Sequence, residues 1–258
     1  MTSDDTLTIC TWLRRCLKCG GLELHAASEV GRGSGCRVWD CDLRTDCGQT
    51  RAVLKLYAPG FDDYSNLGPV DTARKHALAL AEMPAHRVPT PRLLGFARNA
   101  NKAALVMERV VREPWRPEIP VQAARVLARL HTISLSSLSK DLSGLIRRSR
   151  PNRDRVGCVP GEPPEPPATV VHGDYFSTNI LPVEAGVVVV DWDLLALGDP
   201  MWDLGFLLEA DRGTDAAEGA AVVAAYEAFR PVNKQRLDWH RECWREFWRR
   251  RDAQAKRR

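Results

Sequence analysis

The spacing of apolar and polar residues predicts a strand-rich first part of the chain and a helix-rich second part. In the first part, Val53 and Lys55 share one face of a predicted strand, because side chains alternate along a strand. In the second part, Val121, Ala124 and Leu127 form the apolar stripe of an amphipathic helix. The predicted elements are, in order, a helix within residues 1–22, a strand at 51–58, a helix at 72–83, strands at 92–97 and 103–108, a helix at 121–131, a strand at 187–190 and helices at 202–210 and 216–229.

The segment 138–168 is predicted to be a flexible or extended surface arm. It is rich in arginine and then in proline. Proline lacks a backbone N–H and has a fixed φ, so five prolines exclude regular structure there: Pro160, Pro163, Pro164, Pro166 and Pro167.

The last part of the chain has an aromatic face and a basic face. Trp239, Cys243 and Phe247 recur at intervals of four, with Trp244 and Trp248 beside them. A helix of this kind can dock on its own domain, lie on a membrane surface or touch nucleic acid. Docking is the expected arrangement, and the other two stay open as alternatives.

The composition is that of a soluble globular protein, with 44% hydrophobic and 27% charged residues among 258. No apolar run approaches the ~20 residues that span a bilayer. The N-terminus carries acids where a signal peptide has positive charge, so a cytoplasmic location is expected. The eight cysteines are expected to be reduced and partly buried. The chain does not resemble a small secreted protein with disulfide bonds, and its cysteines lack the two close pairs of a zinc ribbon.

The formal charge of +4 is unevenly distributed. Residues 234–258 hold ten basic and four acidic side chains, so the preceding body is slightly acidic. This distribution matters because an overall basic protein would argue mildly against a polycationic ligand. Nucleic acid is not the expected partner, although the tail leaves it open as an alternative. A monomer is expected.

The stretch 170–203 carries the candidate chemistry. Four residues separate Asp174 from Asn179, the same gap that the protein-kinase catalytic loop leaves between its base and its metal-binding amide. A run of four valines then leads to Asp191. Phosphoryl transfer needs residues that hold metal ions and a residue that aims a hydroxyl. The order of these residues therefore indicates a phosphotransferase.

Three sequences in this stretch, HGDYFSTN, VVVVDWD and GDPMWDL, resemble the aminoglycoside phosphotransferase and choline-kinase group. This group is the small-molecule branch of the protein-kinase-like fold, and the likeness extends from about Gly31 to about Tyr226. The resemblance implies an α+β fold with two lobes. Residues 1–110 would form a nucleotide-binding N-lobe, an antiparallel sheet with one or two helices. Residues 111–258 would form a mainly helical C-lobe that carries the catalytic and acceptor-binding groups.

The resemblance also implies the roles of individual residues in the C-lobe. Asp174 would be the catalytic base, and Asn179 and Asp191 would bind Mg²⁺. Structural support of the catalytic loop is expected from His172, Asp199 and Asp203.

The nucleotide, ATP or GTP, would be held by the N-lobe. Gly31 and Gly33 precede Val38 as in the kinase glycine loop, although the third glycine is displaced to Gly35 and Cys36 takes its place. Lys55 resembles the kinase lysine that pairs with the α- and β-phosphates. The adenine edge would bind backbone groups of the segment that contains Met107, Glu108 and Val110.

One departure from the family concerns the helix at 72–83. The family places a Glu there to pair with the lysine, but this chain has Arg74-Lys75-His76. Either Glu82 takes that role from a different register, or Lys55 is held less firmly. A nucleotide-binding but inactive module that acts through a partner therefore stays open as an alternative.

The acceptor is expected to be an aminoglycoside or a related basic antibiotic, so that the activity would confer antibiotic resistance. In the family, acids of the C-lobe line the pocket of a cationic acceptor. The candidates here are Asp193, Glu209, Asp211, Asp215 and Glu218. A choline-like or amino-alcohol metabolite is the alternative acceptor.

Overall fold

The computed structural model describes residue 11 and residues 23–32, 36–45, 48–60, 66–149, 159–164, 166–209 and 216–255. Several predictions lie outside this part of the chain. They are the N-terminal helix apart from Thr11, and the roles of Gly33, Asp211 and Asp215.

The N-lobe is a five-stranded antiparallel sheet, as expected. Its strands are ordered β1-β2-β3-β5-β4 and span Glu23–Arg32 (β1), Arg37–Thr45 (β2), Gly48–Tyr57 (β3), Leu93–Arg98 (β4) and Ala103–Glu108 (β5). Since side chains alternate along a strand, β3 buries Leu54 on one face and directs Lys55 to the other. The face that carries Lys55 is the one on which the sheet meets the rest of the molecule.

Helix α1 (Pro69–Glu82) connects β3 to β4 and packs on this inner face. It begins with proline at its first position, where a missing N–H costs nothing. A short 3₁₀ turn at Met83–His86 ends it, followed by Arg87 in a left-handed conformation with φ 60°. The predicted helix 72–83 is therefore present and begins three residues earlier.

The C-lobe is built around α2 (Ile119–His131), which buries Ala123, Ala124, Leu127 and Leu130. Two small antiparallel sheets lie beside it. One pairs β6 (Thr169–Val171) with β9 (Ala196–Gly198), and the other is a hairpin of β7 (Ile180–Val183) and β8 (Gly186–Val189). The remaining helices are α3 (Lys140–Arg148), α4 (Pro200–Glu209), α5 (Ala216–Glu227) and α6 (Lys234–Ala255). The two small sheets and the start of α4 carry the residues of the stretch 170–203.

The prediction of an arm at 138–168 is wrong for its first third, where α3 forms. The Ser139 side chain accepts a hydrogen bond from Leu142 N and caps the helix, and Leu142, Leu145 and Ile146 bury one face. This cap and its apolar spacing were readable before the prolines begin. The described part of the proline-rich segment is not free either. Its carbonyl groups at Val159 and Pro163 accept hydrogen bonds from Trp239 and Arg236 of α6.

Helix α1 is fastened to α3 and its flanks by several contacts. Two ion pairs join them, Arg74 to Asp141 at 2.5 Å and Arg148 to Asp71 at 2.8 Å. Glu82 accepts hydrogen bonds from Ser139 Oγ at 2.7 Å and Ser139 N at 2.9 Å. The exposed ion pairs contribute little singly. Lys75, however, is wholly buried and donates to Ser149 Oγ at 2.7 Å and to the Leu195 carbonyl at 2.8 Å, so α1 is held against the C-lobe.

The aromatic face of α6 docks on α4, as expected for the tail. Trp244 stacks on Phe206 with ring centroids 3.8 Å apart, and Trp239 and Cys243 are buried in the same cluster. Gly205 permits the close approach, because a Cβ there would lie 3.1 Å from His240 Cβ. Within the described residues, no helix has both the length and the apolar character needed to cross a membrane.

Candidate active site

The loop that follows β6 is held in place by Asp203 of α4. The backbone N–H groups of His172 and Gly173 donate to the two oxygens of this carboxylate, at 2.7 and 2.9 Å. His131 Nε2 lies 3.2 Å from the same group. Asp203 is wholly buried, so these contacts replace the water that an ionised carboxylate would otherwise need. The loop that carries Asp174 is thus fixed by an acid from a different element.

Gly173 occupies a position that only glycine fits, which the sequence reading did not recognise. Its φ is 85°, and a Cβ there would lie 2.6 Å from the Leu194 carbonyl oxygen. The close contact brings the loop against the segment that carries Asp191 and Asp193. The triplet His172-Gly173-Asp174 was the available signal.

Asp174 and Asn179 are joined directly. The side-chain nitrogen of Asn179 donates to Asp174 Oδ2 and to the Asp174 carbonyl, each at 2.9 Å. The Asn179 carbonyl accepts from Val190 N at 3.0 Å, one residue before Asp191. The β7–β8 hairpin therefore brings the two predicted metal ligands, Asn179 and Asp191, to the same end of its strands.

Asp191 leaves β8 in a left-handed conformation, with φ 66° and ψ 62°, which is uncommon for a residue other than glycine. His172 Nε2 lies 3.0 Å from the preceding carbonyl, that of Val190, and supports the turn. The Asp191 carboxylate lies 2.7 Å from Lys55 Nζ of β3. This ion pair joins the two lobes at the site.

Lys55 has a second carboxylate partner, Asp193, whose Oδ2 lies 3.1 Å from Nζ. Tyr57 OH donates to Asp193 Oδ1 at 2.7 Å, and His76 Nδ1 lies at the same distance from that oxygen. Burial alone would lower the pKa of the Lys55 ammonium, but Asp191 and Asp193 raise that pKa well above its ordinary value. Lys55 is therefore a permanent cation in this cluster.

Burial and the charge of Lys55 shift the pKa values of three other groups of the cluster. Burial and the charge of Lys55 lower the pKa of His76, and burial raises the pKa of Tyr57 well above its ordinary value. Burial would raise the pKa of Asp193, but Lys55 and the hydrogen bond from His76 outweigh it and lower that pKa. The Lys55 cation thus faces the Asp193 carboxylate, which is also contacted by the neutral side chains of His76 and Tyr57. Burial also raises the pKa of the Cys36 thiol, beside Lys55, to about 12.

The segment expected to bind adenine follows β5. Met107 is buried in the main core. The carboxylate of Glu108 accepts a hydrogen bond from the backbone N–H of Arg92 at 2.9 Å. Arg109 N donates to the Arg51 carbonyl at 3.0 Å, and Val110 is half-buried. Of the glycine loop, Gly31 is described, at the end of β1, with no atom within 4 Å of a Cβ built on it.

Asp199 contacts α6 instead of the catalytic loop. Its carboxylate lies 2.6 Å from Arg236 Nη2 and 2.7 Å from His240 Nε2, and accepts from Met201 N at 2.9 Å. Burial would raise the pKa of Asp199, but the hydrogen bonds from His240 and Met201 and the contact with Arg236 lower it to about 2. Arg236 and His240, both buried, were not singled out in the sequence.

The predicted acceptor acids do not form one group within the described residues. Asp193 belongs to the Lys55 cluster, because β3 and α1 enclose it. Glu209 is paired with Arg241 at 2.5 Å and Arg245 at 2.8 Å on α6. Glu218 does line a cavity of about 570 Å³ beside the catalytic loop, together with Arg112, Trp115, Arg116, Pro117, Pro120, Ser177, Leu207, Leu208 and Val222.

Asn179 and Asp191 have the chemistry of a magnesium site. Mg²⁺ prefers oxygen ligands and is commonly bound by one or two carboxylates together with substrate phosphates. The nitrogen of the Asn179 side chain is used towards Asp174, so the amide oxygen is the atom a cation would take. The Asp191 side chain is 40% exposed, which leaves it accessible from the cleft.

Comparison with known proteins finds a family match for part of the chain and several similar structures. Residues 156–247 match the model of a family described as "Phosphotransferase enzyme family". No curated protein sequence matches the chain. The chain is similar in structure to the aminoglycoside phosphotransferase APH(3'')-Id from Streptomyces rimosus, solved with ADP and streptomycin. The TM-score is 0.61 at 16% identity, over 94% of this chain and 98% of that one.

Two further solved structures are similar. The macrolide 2'-phosphotransferase type I gives a TM-score of 0.62 at 19% identity, over 96% of this chain and 89% of that one. The amicoumacin kinase hAmiN, solved with AMP-PNP, Ca²⁺ and Ami, gives 0.62 at 10% identity, over 91% and 80%. These likenesses establish a protein-kinase-like fold. The match of residues 156–247 to this family model and the shared fold together indicate a phosphotransferase that acts on a hydroxyl group of a small molecule.

Proposed function

We propose that this chain transfers the γ-phosphate of ATP, or of GTP, to a hydroxyl group of a small molecule bound in the cavity beside Ser177. The observation that carries the proposal is the 2.7 Å contact between Lys55 of the N-lobe and Asp191 of the C-lobe. It joins the predicted phosphate-binding cation to the predicted metal ligand across the cleft.

In this mechanism Asp174 accepts a hydrogen bond from the acceptor hydroxyl and aims it at the γ-phosphate. The Asn179 amide holds the Asp174 carboxylate, and Asp203 holds the backbone of the loop. Positioning of this kind supplies most of the catalysis in phosphoryl transfer. Lys55 would bind the α- and β-phosphates. Mg²⁺ held by Asn179 and Asp191 would neutralise charge on the transferred group.

The choice of nucleotide and cation is supported by the similar structures. APH(3'')-Id was solved with ADP, and hAmiN with AMP-PNP and Ca²⁺. Both structures hold an adenine nucleotide in a fold that this chain shares. In this proposal, the segment after β5 would supply the backbone groups for the adenine edge.

The size and lining of the cavity favour an antibiotic-sized acceptor over a choline-like one. Its 570 Å³ lies within the roughly 300–1,000 Å³ range of sites for drug-sized ligands. Its described lining combines one acid, Glu218, with Trp115, two arginines and several apolar side chains. Such a lining suits a basic antibiotic that carries few amines and a large apolar surface. A polycationic aminoglycoside would find fewer counter-charges than the sequence suggested.

The role of Asp174 is tested by Asp174→Asn, which keeps the shape of the side chain and removes its negative charge. Turnover should fall at least about 100-fold, while the affinity for MgATP stays nearly unchanged, because the loss affects only the aiming of the hydroxyl. Asp141→Asn, which removes an exposed acid on α3, serves as the control and should behave as wild type. Retention of more than about a tenth of wild-type kcat would contradict the assignment.

The acceptor is tested by mass spectrometry of products formed from MgATP and a panel of hydroxylated compounds. The panel should contain macrolides, aminoglycosides, amicoumacin-type antibiotics, choline and ethanolamine. Growth of a host that expresses the chain, measured on the same antibiotics, tests resistance. Binding of MgATP without phosphorylation of any acceptor would support an inactive module instead.

A further inference from the structure

Helix α1 does not supply a carboxylate to Lys55. Its two acids are committed elsewhere, Asp71 to Arg148 and Glu82 to Ser139. At the positions where a carboxylate was expected, Lys75 is turned into the C-lobe and His76 faces the site. The pairing of Glu82 with Lys55 that the sequence left open is therefore not found.

Asp193 lies where that missing carboxylate is needed. Its Oδ2 contacts Lys55 Nζ at 3.1 Å, and its Oδ1 is contacted by His76 Nδ1 of α1 and by Tyr57 OH of β3, each at 2.7 Å. The two oxygens thus have separate tasks. One is anchored to the N-lobe and the other is directed at the lysine.

We infer that Asp193, held by His76 and Tyr57, is the positioning residue that anchors Lys55 in place of a carboxylate on α1. The inference rests on the proposed function, in which Asp191 gives its charge to the metal ion. Lys55 is only 5% exposed, so it then needs another anion to offset its burial. Among the described residues, Asp193 is the one other carboxylate paired with it.

The hydrogen bonds around Asp193 are consistent with this task. Tyr57 OH donates to Asp193 Oδ1, so its proton is not available to His76 Nδ1, 3.0 Å away. His76 therefore carries its proton on Nδ1 and donates it to the same oxygen. Burial lowers the pKa of His76 and keeps the ring neutral near pH 7. Two neutral donors orient the carboxylate without cancelling its charge, which remains for Lys55.

The same atoms also satisfy the distance criterion for a cation site. Ligand atoms of His76, Asp191 and Asp193 lie within 4.8 Å of one another. The Lys55 ammonium, however, already contacts both carboxylates, at 2.7 and 3.1 Å. The contact of Lys55 with both carboxylates explains why the two acids lie close together. Binding of a metal ion at this place is one of the outcomes that the test below distinguishes.

The test removes the carboxylate of Asp193 and then places one on α1 instead. The affinity for MgAMP-PNP is measured by calorimetry, which needs no acceptor. Asp193→Asn should weaken binding by on the order of 10-fold and lower kcat/KM for ATP by on the order of 100-fold, with the acceptor KM unchanged. The double variant Asp193→Asn with His76→Glu restores a carboxylate on α1 and should recover most of the loss. Tyr57→Phe, which removes one donor and no charge, should show a loss of only a few-fold.

Asp141→Asn is the matched control for loss of an acid, and thermal unfolding of every variant verifies the fold. If Asp193→Asn does not fold, Tyr57→Phe and the double variant still decide the question. The inference is overturned if Asp193→Asn stays within about three-fold of wild type, if its loss appears only in the acceptor KM, or if the double variant gains nothing. It is also overturned if Mn²⁺ alone stabilises wild type, Asp193→Asn abolishes that effect, and nucleotide affinity is unchanged. Wild type that does not bind MgAMP-PNP would instead refute the proposed function.

Discussion

The two ends of the proposed cleft are built in opposite ways. At the phosphate end, Lys55 of β3 lies against Asp191 and Asp193 of the segment that follows β8, with ion-pair distances of 2.7 and 3.1 Å. At the acceptor end, the 570 Å³ cavity is lined by exposed or half-buried residues of the segment before α2 and by residues of three helices. We infer that phosphoryl transfer depends on buried groups that rely on one another. The choice of acceptor depends instead on residues that can be substituted one at a time.

The largest effect on the phosphate end is expected from a substitution at Gly173. Gly173→Ala places a Cβ against the Leu194 carbonyl and imposes an unfavourable φ, so the loop has to shift. We expect a loss of roughly 3 kcal/mol in the free energy of unfolding, together with a loss of most activity. Chemical denaturation and steady-state kinetics measure both. Gly144→Ala is the control, because a Cβ on Gly144 in α3 meets no atom within 4 Å. A Gly173→Ala variant as stable and active as that control would show that the loop is not rigid.

A second substitution at this end tests the support of the loop. In Asp203→Asn, an amide group takes the place of one carboxylate oxygen and faces the N–H of His172 or Gly173. A donor then meets a donor in a buried site, and we expect the free energy of unfolding to fall by roughly 2 kcal/mol and kcat to fall more than KM. Denaturant titration and initial-rate kinetics check this. A change below about 0.5 kcal/mol would remove Asp203 from the support of the loop.

The smallest expected effect belongs to the acceptor end. Glu218→Gln should raise the KM of a cationic acceptor about five-fold, because it removes one counter-charge of the cavity. MgATP affinity and the free energy of unfolding should remain at wild-type values. Kinetics with a cationic and a neutral acceptor of similar size separate charge from shape. A loss of stability comparable to that of Asp203→Asn would contradict the contrast between the two ends.

The order of elements and the main chemistry could be predicted because they depend on local spacing. The gap of four residues between Asp174 and Asn179 and the valine run before Asp191 are read from spacing, and the strand of Lys55 is read from alternation. Helix α3 is not predicted, because the many prolines of the segment 138–168 outweigh the helix cap at Ser139. The residues that cap this helix and bury its face are nevertheless visible in the sequence.

The roles of the acids after Asp191 could not be predicted in the same way. Whether Asp193 faces an acceptor or a lysine depends on how β3 and α1 enclose it, which is a tertiary property. Glu209 is likewise neutralised by two arginines more than thirty residues away on α6. The sequence shows that these side chains are acidic but does not show which cation they meet.

The attachment of α1 to the C-lobe has a consequence for control of the activity. Protein kinases are switched on and off partly by swinging the corresponding helix, which carries the lysine's partner away. Here such a swing would have to expose the buried Lys75 and release Glu82 from Ser139. The anchor of Lys55, moreover, does not belong to that helix. The swing would also separate His76 from Asp193, so we do not expect movement of α1 to control the activity.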